Sequence, residues 1–462
     1  MTRVESEDLR ARLAEHAGGQ GLTGAVLAVQ HGDEIAEAAY GVLDKEFGYP
    51  ATTDSIFQIG SITKVWTATL IMQLADEGLV DLDTPVAYYL PGFRVTDEAA
   101  SAAVTVRQLL THVGGFDGDI FDDHGDGDDA VQRYVDALAG PARQLFPPGT
   151  LWSYCNSGYV VLGRIVSVLT GLTWEAAIRE RIAAPLGMTY LATSPAEAIR
   201  YRVAMGHIEG PGGELVKAPI WGMPRSNAPA GATLTMAARD LLAFAKMHQR
   251  LGLAPDGTRV LSERSALAMR EPQAEVPGDG PLADHWGLGW ELFRTEGGLI
   301  IGHDGGTVGQ SALLRMVPER DVALVLLTNG GGVHKLHELA TGLLDELAGT
   351  ALPPFPTPPA TPPRVDPAYF TGHYESGTIA ADVVRDGGTL AVGLRPIGPA
   401  ASLPEDDKPE LTPVVPLNER ALISVGRPRG FHEVYTFIGD GERAEFLHMG
   451  RAVPRAEDAE NA

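Results

Sequence analysis

The chain has 462 residues, too long for one ordinary domain and enough for two or three. Thirty-six basic against 60 acidic residues leave a net charge of −24, which excludes a global basic footprint for nucleic acid and sets the chain against anionic membrane surfaces. A hydrophobic content of 44% is enough for sizeable cores, and the single cysteine, Cys155, excludes an intrachain disulfide and a Cys-based metal cage.

The N-terminus, Met1-Thr-Arg-Val-Glu, carries both signs of charge and no apolar run, so it does not read as a signal peptide. No apolar stretch approaches the roughly 18 residues of a membrane helix. The expectation is a cytoplasmic protein with no membrane contact. A short helix opens the chain, with Ser6 as its cap, Leu9 and Leu13 on one face and Gly18-Gly19 at its end. Residues 24–31 and 34–40 around Gly32-Asp33 predict a β-hairpin. Over 61–79 the pattern turns helical, with Val65, Thr69, Met72, Leu74 and Leu79 near a 3.6 period and Gly78 as the stop. Further helices are expected over 104–110, 130–138, 157–170, 174–184 and 237–250. Strand patterns return at 287–293, 299–303, 311–317 and 322–328, and 334–348 reads as a helix. A sheet drawn from both ends of this region, with helices inserted between, is an α+β plan.

Eight prolines between 353 and 367 form a semi-rigid spacer and the clearest boundary in the chain. Beyond it, short strand-like runs at 369–374, 389–394, 420–425, 432–437 and 444–448 predict a small antiparallel barrel. The division is 1–351, a linker over 352–367, and 368–462.

Three stretches carry chemistry. In Gly60-Ser61-Ile-Thr-Lys64, serine and lysine lie three apart at a helix start, which stacks them on one face. A neutral lysine amine there can take the serine proton, and the helix N-terminus favours negative charge near the serine amide. Lysine is scarce, six in the whole chain. In Ser153-Tyr154-Cys155-Asn156, tyrosine and asparagine at i and i+2 of an extended segment point the same way, toward proton shuttling and carbonyl binding. In Gly302-His303-Asp304-Gly305-Gly306, a strand end followed by glycines lets a ligand lie along the edge, with a backbone N–H free for an oxyanion.

Together, in this order, Ser-x-x-Lys, Tyr-x-Asn and His-x-Gly resemble the serine β-lactamase and penicillin-binding-protein superfamily, most nearly its class C β-lactamase-related branch. The stretches 109–116, 227–231 with 240–244, and Trp286-Gly-Leu-Gly-Trp290 are similar to that branch too. The resemblance implies a β-lactamase-like fold (an antiparallel sheet flanked by helices, plus an all-helical subdomain) followed by a lipocalin-like barrel. It implies that Ser61 becomes acylated, that Lys64 and Tyr154 move the proton, that Asn156 contacts substrate and lysine, and that Gly305 and Gly306 with the Ser61 amide build the oxyanion site. His303 stands where many relatives carry lysine. Its hydrogen bond would be donated and its charge would change near neutral pH. No cofactor or metal is implied. The implied activity is hydrolysis of esters, small amides or peptides, with D-residues among them. Its alternative is acyl transfer or a penicillin-binding-protein-type thioesterase or cyclase acting on a carrier-protein thioester.

Other features read more plainly. Cys155, between two inward-pointing residues, should face into packing. The Asp-rich stretch 117–129 lacks calcium-loop spacing and reads as a mobile, solvated loop. Arg451 reads as a barrel-surface arginine, or, in the transferase case, as a clasp for a substrate carboxylate. No Gly-x-Ser-x-Gly elbow surrounds any serine.

Overall fold

Nine antiparallel strands form the main sheet of the computed structural model, which describes residues 5–210, 212–278, 280, 282–397, 410–428 and 430–456. The first four residues and the last six, on which the N-terminal reading and the final boundary partly rest, lie outside the described residues. The strand order runs Tyr49–Pro50, Glu34–Asp44, Gly24–His31, Val322–Thr328, Ser311–Val317, Gly298–Gly306, Glu291–Thr295, His285–Trp286, Ala274–Glu275. The register Ala25↔Thr328 to His31↔Val322 joins the early hairpin to the late one, so the sheet is closed by both ends of the region as expected.

Alternation along each strand splits the core in two. Ala25, Leu27 and Val29 face the helices Ser6–Gly19 and His337–Ala348, while Val26 and Ala28 face the inner helices. The inner face holds the helix Thr63–Asp76, whose residues are buried on every side from Thr63 to Gln73 and on to Leu74. A helix apolar all round belongs in the middle of a core, and Trp66 stacks on Phe244 at 4.2 Å there. The expected amphipathic stripe therefore over-reaches: Leu79 is exposed, because the helix has ended and Gly78 takes a positive φ of 72°. Ser6 does not cap the first helix. Glu5 holds that position, and the Ser6 hydroxyl accepts from the Glu37 amide instead.

The second sheet has eight antiparallel strands from Gly372–Glu375 to Ala452–Pro454, and a bridge between Tyr374 and Arg455 brings its two edges together into a nearly closed barrel. The residues 369–374 expected as a strand begin instead with the helical turn Pro367–Phe370, capped by Asp366. No helix among the described residues is by itself long and apolar enough to cross a membrane.

Candidate active site

Ser61 sits in a 3-10 turn, Gly60–Ile62, that runs directly into the helix Thr63–Asp76. One turn on, Lys64 has no exposed surface, and its Nζ stands 3.0 Å from Ser61 Oγ. Nζ also donates to the Ala230 carbonyl at 2.6 Å. That carbonyl is held by its neighbours. Thr67 Oγ1 donates to Pro229 O, Trp174 Nε1 donates to Thr67 Oγ1, and a Cβ on Gly163 would stand 2.3 Å from Pro229. The helices therefore press the 225–230 turn onto the lysine. No carboxylate lies within ion-pair distance of Lys64 among the described residues. Burial, then the charge of Arg451, push its ammonium well down from the ordinary lysine range.

Tyr154 enters from the far side. Its ring lies 4.8 Å from Lys64 Nζ, 5.0 Å from the Arg451 guanidinium and 4.3 Å from the His112 ring. Burial pushes the phenol well up, against the opposing pull of the Ser61 hydroxyl, so it stays protonated at neutral pH. His112 is fixed as an acceptor for the Cys155 amide at 3.0 Å, and burial holds it neutral. Cys155 faces into packing, as expected: its sulfur accepts from the Gly158 amide at the start of the helix Asn156–Thr170, and burial pushes its thiol up to about 12, which makes it inert.

Asn156 departs from the expected arrangement. It is the first residue of that helix rather than part of an extended segment, and its amide donates to Asp119 at 2.6 Å. The lysine's second partner is a backbone carbonyl instead. Asp119 also pairs with Arg451. Arg451 is thus no barrel-surface arginine: it reaches into the site. The barrel hairpin around it is pinned to the Tyr154 segment, with Tyr154 N donating to Gly450 O, Ala452 N to Ser153 Oγ, and His448 Nε2 to Trp152 O. The Asp-rich stretch is tied down as well. Asp117 accepts from Gly377 N, Arg225 holds Asp128 at 2.9 Å, and Arg133 holds Asp129 at 3.1 Å. Neither Asp119 nor Arg451 has a local sequence pattern that marks it, since the pair spans 332 positions.

The strand Gly298–Gly306 closes the third side. Its end meets the serine turn backbone to backbone: a Cβ on Gly305 would stand 1.9 Å from Ile59 O and 3.3 Å from Ser61 N. His303 is buried, and its Nδ1 lies 2.5 Å from the Asp304 carbonyl. A carbonyl only accepts, so Nδ1 carries the proton and Nε2 keeps its lone pair, buried and without a partner among the described residues. Burial and Lys64 pull His303 down to about 3. The expected donor with a near-neutral titration is therefore an acceptor, neutral throughout the physiological range. Ser61, Tyr154, His303, Gly305 and Gly306 line one pocket of about 600 Å³, roofed by barrel residues including Tyr435, Met449 and Arg451.

Behind His303 lies a buried polar group that the sequence did not flag. Glu291 Oε1 accepts from the Asp304 amide at 3.2 Å, and Arg315 lies 3.5 Å from Glu291 and 2.8 Å from Asp304. Burial and the Asp304 charge push the Glu291 carboxyl well up despite Arg315. A raised folded value means that the unfolded chain releases this proton first, so the group costs stability progressively as pH rises above the ordinary carboxylate range. Glu291→Gln removes that cost. Its melting temperature should exceed the wild type's at pH 8 and match it near pH 5. An equal gain at both pH values would contradict the raised carboxyl.

A beta-lactamase family model matches residues 9–348. The chain belongs to this family of serine hydrolases. It is similar to penicillin-binding protein 4 of Amycolatopsis lactamdurans, 47% identical over 355 residues that cover 76% of this chain and 93% of that one. Among solved structures it resembles SurE, also solved with D-Leu, at a TM-score of 0.75 and 30% identity, over 98% of this chain and 99% of the other. It is also similar to a D-amino acid amidase from Ochrobactrum anthropi SV3, at a TM-score of 0.60 and 27% identity, over 71% and 91%. The SurE match spans the barrel as well as the hydrolase part.

Proposed function

We propose that the protein is an acyl hydrolase working through an ester on Ser61, with esters and small amides or peptides as substrates. The observation that carries this reading is the pair of Ser61 Oγ and a buried Lys64 Nζ at 3.0 Å, with no counter-ion among the described residues. The carbonyl carbon is attacked by Ser61 Oγ while Lys64 takes the hydroxyl proton. The oxyanion is met by the Ser61 and Gly306 amides, and Lys64 returns the proton to the leaving oxygen or nitrogen. Water then repeats the cycle on the acyl group. Tyr154, held as a phenol, donates and accepts within this shuttle rather than acting as the free base. His303 Nε2 accepts from a donor on the substrate. D-configured residues near the scissile bond fit the names of the amidase and of the D-Leu-bound relative.

Acyl transfer is the second reading, and the Arg451 position supports it. The Arg451 side chain is 44% exposed at the pocket roof, beside Tyr154, where its guanidinium can take a carboxylate on an amine acceptor by exchanging its contact with Asp119. A carrier-protein thioester is the donor in that case.

Incubation with a p-nitrophenyl ester, acid quenching and intact-mass analysis should reveal an acyl adduct that Ser61→Ala lacks. An adduct that survives the substitution removes Ser61 as nucleophile. Adding D- and L-amino acids and measuring amide product against free acid then separates transfer from hydrolysis.

A further inference from the structure

A second cavity of about 220 Å³ lies on the other face of the sheet from the serine helix, and it is not isolated from the catalytic pocket. Gly280, Leu282, Asp304 and Phe431 line both, so the two spaces meet around the Asp304 end of the strand. The cavity walls come from three parts of the chain. Phe293 and Leu313 come from the sheet, Leu352 and Phe355 from the start of the proline linker, and Phe431 from the barrel. Its aromatic side is packed: Phe355 stacks against Phe431 at 5.3 Å and lies on His337 at 4.3 Å. The floor carries Arg315, 3% exposed, with its guanidinium on the Phe293 ring at 4.6 Å and its Nε without a hydrogen-bond partner among the described residues.

We propose that this cavity is a subsite for an aromatic or branched aliphatic group at the remote end of the acyl donor, with Arg315 Nε meeting a carbonyl on that group's tether. The inference rests on Ser61 carrying the acyl group. An apolar cavity of roughly 150 Å³ is enough for one benzene ring, so the space here takes a single such group and no second peptide unit. The acyl half is the better occupant than the leaving half. The leaving group must depart before the second step, whereas the acyl group stays through both. Binding energy from a remote site therefore serves both transition states. The linker has a role in this arrangement, since Leu352 and Phe355 turn a spacer into a wall.

The test uses p-nitrophenyl esters of straight alkanoic acids and of the same acids tipped with phenyl, at increasing spacer length. At one spacer length the phenyl-tipped ester should gain about tenfold in kcat/KM over its untipped partner, mainly through KM. Val333 also lines the cavity. Val333→Trp, which fills it, and Phe355→Ala, which opens it, should each erase that ratio. The ratio is taken within each variant, so a general loss of activity cancels. Calorimetric binding of the phenyl-tipped acid to Ser61→Ala protein reads the cavity without any chemistry. Tipped acid that binds about tenfold tighter than untipped acid supports the subsite even if Ser61 proves not to be the nucleophile. No step at any spacer length, or a step that survives both variants, overturns it and leaves the serine reading untouched.

Discussion

Lys64→Met should fold normally and lose roughly 10³-fold in kcat on a short p-nitrophenyl ester, with Lys64→Arg no better. The reasoning starts from burial. Lys64 has no exposed surface and, among the described residues, no carboxylate partner; its contacts there are the Ser61 hydroxyl and one carbonyl. An ammonium in that setting is disfavoured, so a larger neutral fraction exists at pH 7 than on a free lysine, and that amine is the base. Arginine cannot supply one because its guanidinium does not lose its proton. The pH profile follows with its sign. Acid protonates Lys64 and removes the base, so kcat/KM falls on the acid side along a limb set by this group. His303, held near 3, adds no limb between pH 5 and 9. Stability moves the same way as activity. A depressed lysine makes the wild type less stable as pH drops from the ordinary lysine range toward the folded value, and methionine has no such cost. The melting advantage of Lys64→Met should therefore grow as the pH is lowered. Near-normal turnover in Lys64→Met, or rescue by arginine, would hand the base role to Tyr154.

The sequence showed the parts of this site that are local and hid those that are not. Ser61 and Lys64 share one helical turn, so spacing alone stacks them. Their third partner, the Ala230 carbonyl, is 166 positions away and is delivered by packing of Pro229 on Gly163 and Thr67. Asn156 sits at a legible motif position, but its partner is set by Asp119, which Arg451 of the barrel also holds. The tautomer of His303 is fixed by a backbone carbonyl one residue on, a contact that no residue pattern encodes. In the barrel, the strand Leu411–Pro416 is not legible in the sequence because Pro413 and Pro416 argue against a strand, yet Pro413 is tolerated opposite Ala391. Ile379–Asp386 is hidden for a different reason: Asp382 and Arg385 interrupt its apolar pattern.

Gly60→Ala should cost about 10²-fold in kcat while leaving the slow acylation of Ser61 detectable by mass. Gly60 precedes the serine with φ +52°, a conformation that costs an L-residue roughly 1–2 kcal/mol. Strain is the smaller part. A Cβ there would stand 2.5 Å from Gly306 N and 2.8 Å from Gly306 O, so the strand end must move away from the serine turn. In the proposed chemistry those two amides, on Ser61 and Gly306, share one oxyanion, and loss of one such donor costs roughly 10²–10³ in kcat. The same junction tolerates little elsewhere: Gly231 approaches Gly60 O to 2.5 Å and Gly305 approaches Ile59 O to 1.9 Å at their would-be Cβ positions. The Gly60 effect should therefore appear in kcat more than in KM. Gly48→Ala isolates the backbone term. Gly48 also has a positive φ, +69°, but open space around it and a place in a surface turn. It should lower the melting temperature by a few degrees and leave kcat alone. Equal kcat losses in the two variants would mean that strain, not displacement of the Gly306 amide, explains the Gly60 result. An unaffected Gly60→Ala would remove Gly306 from the oxyanion site.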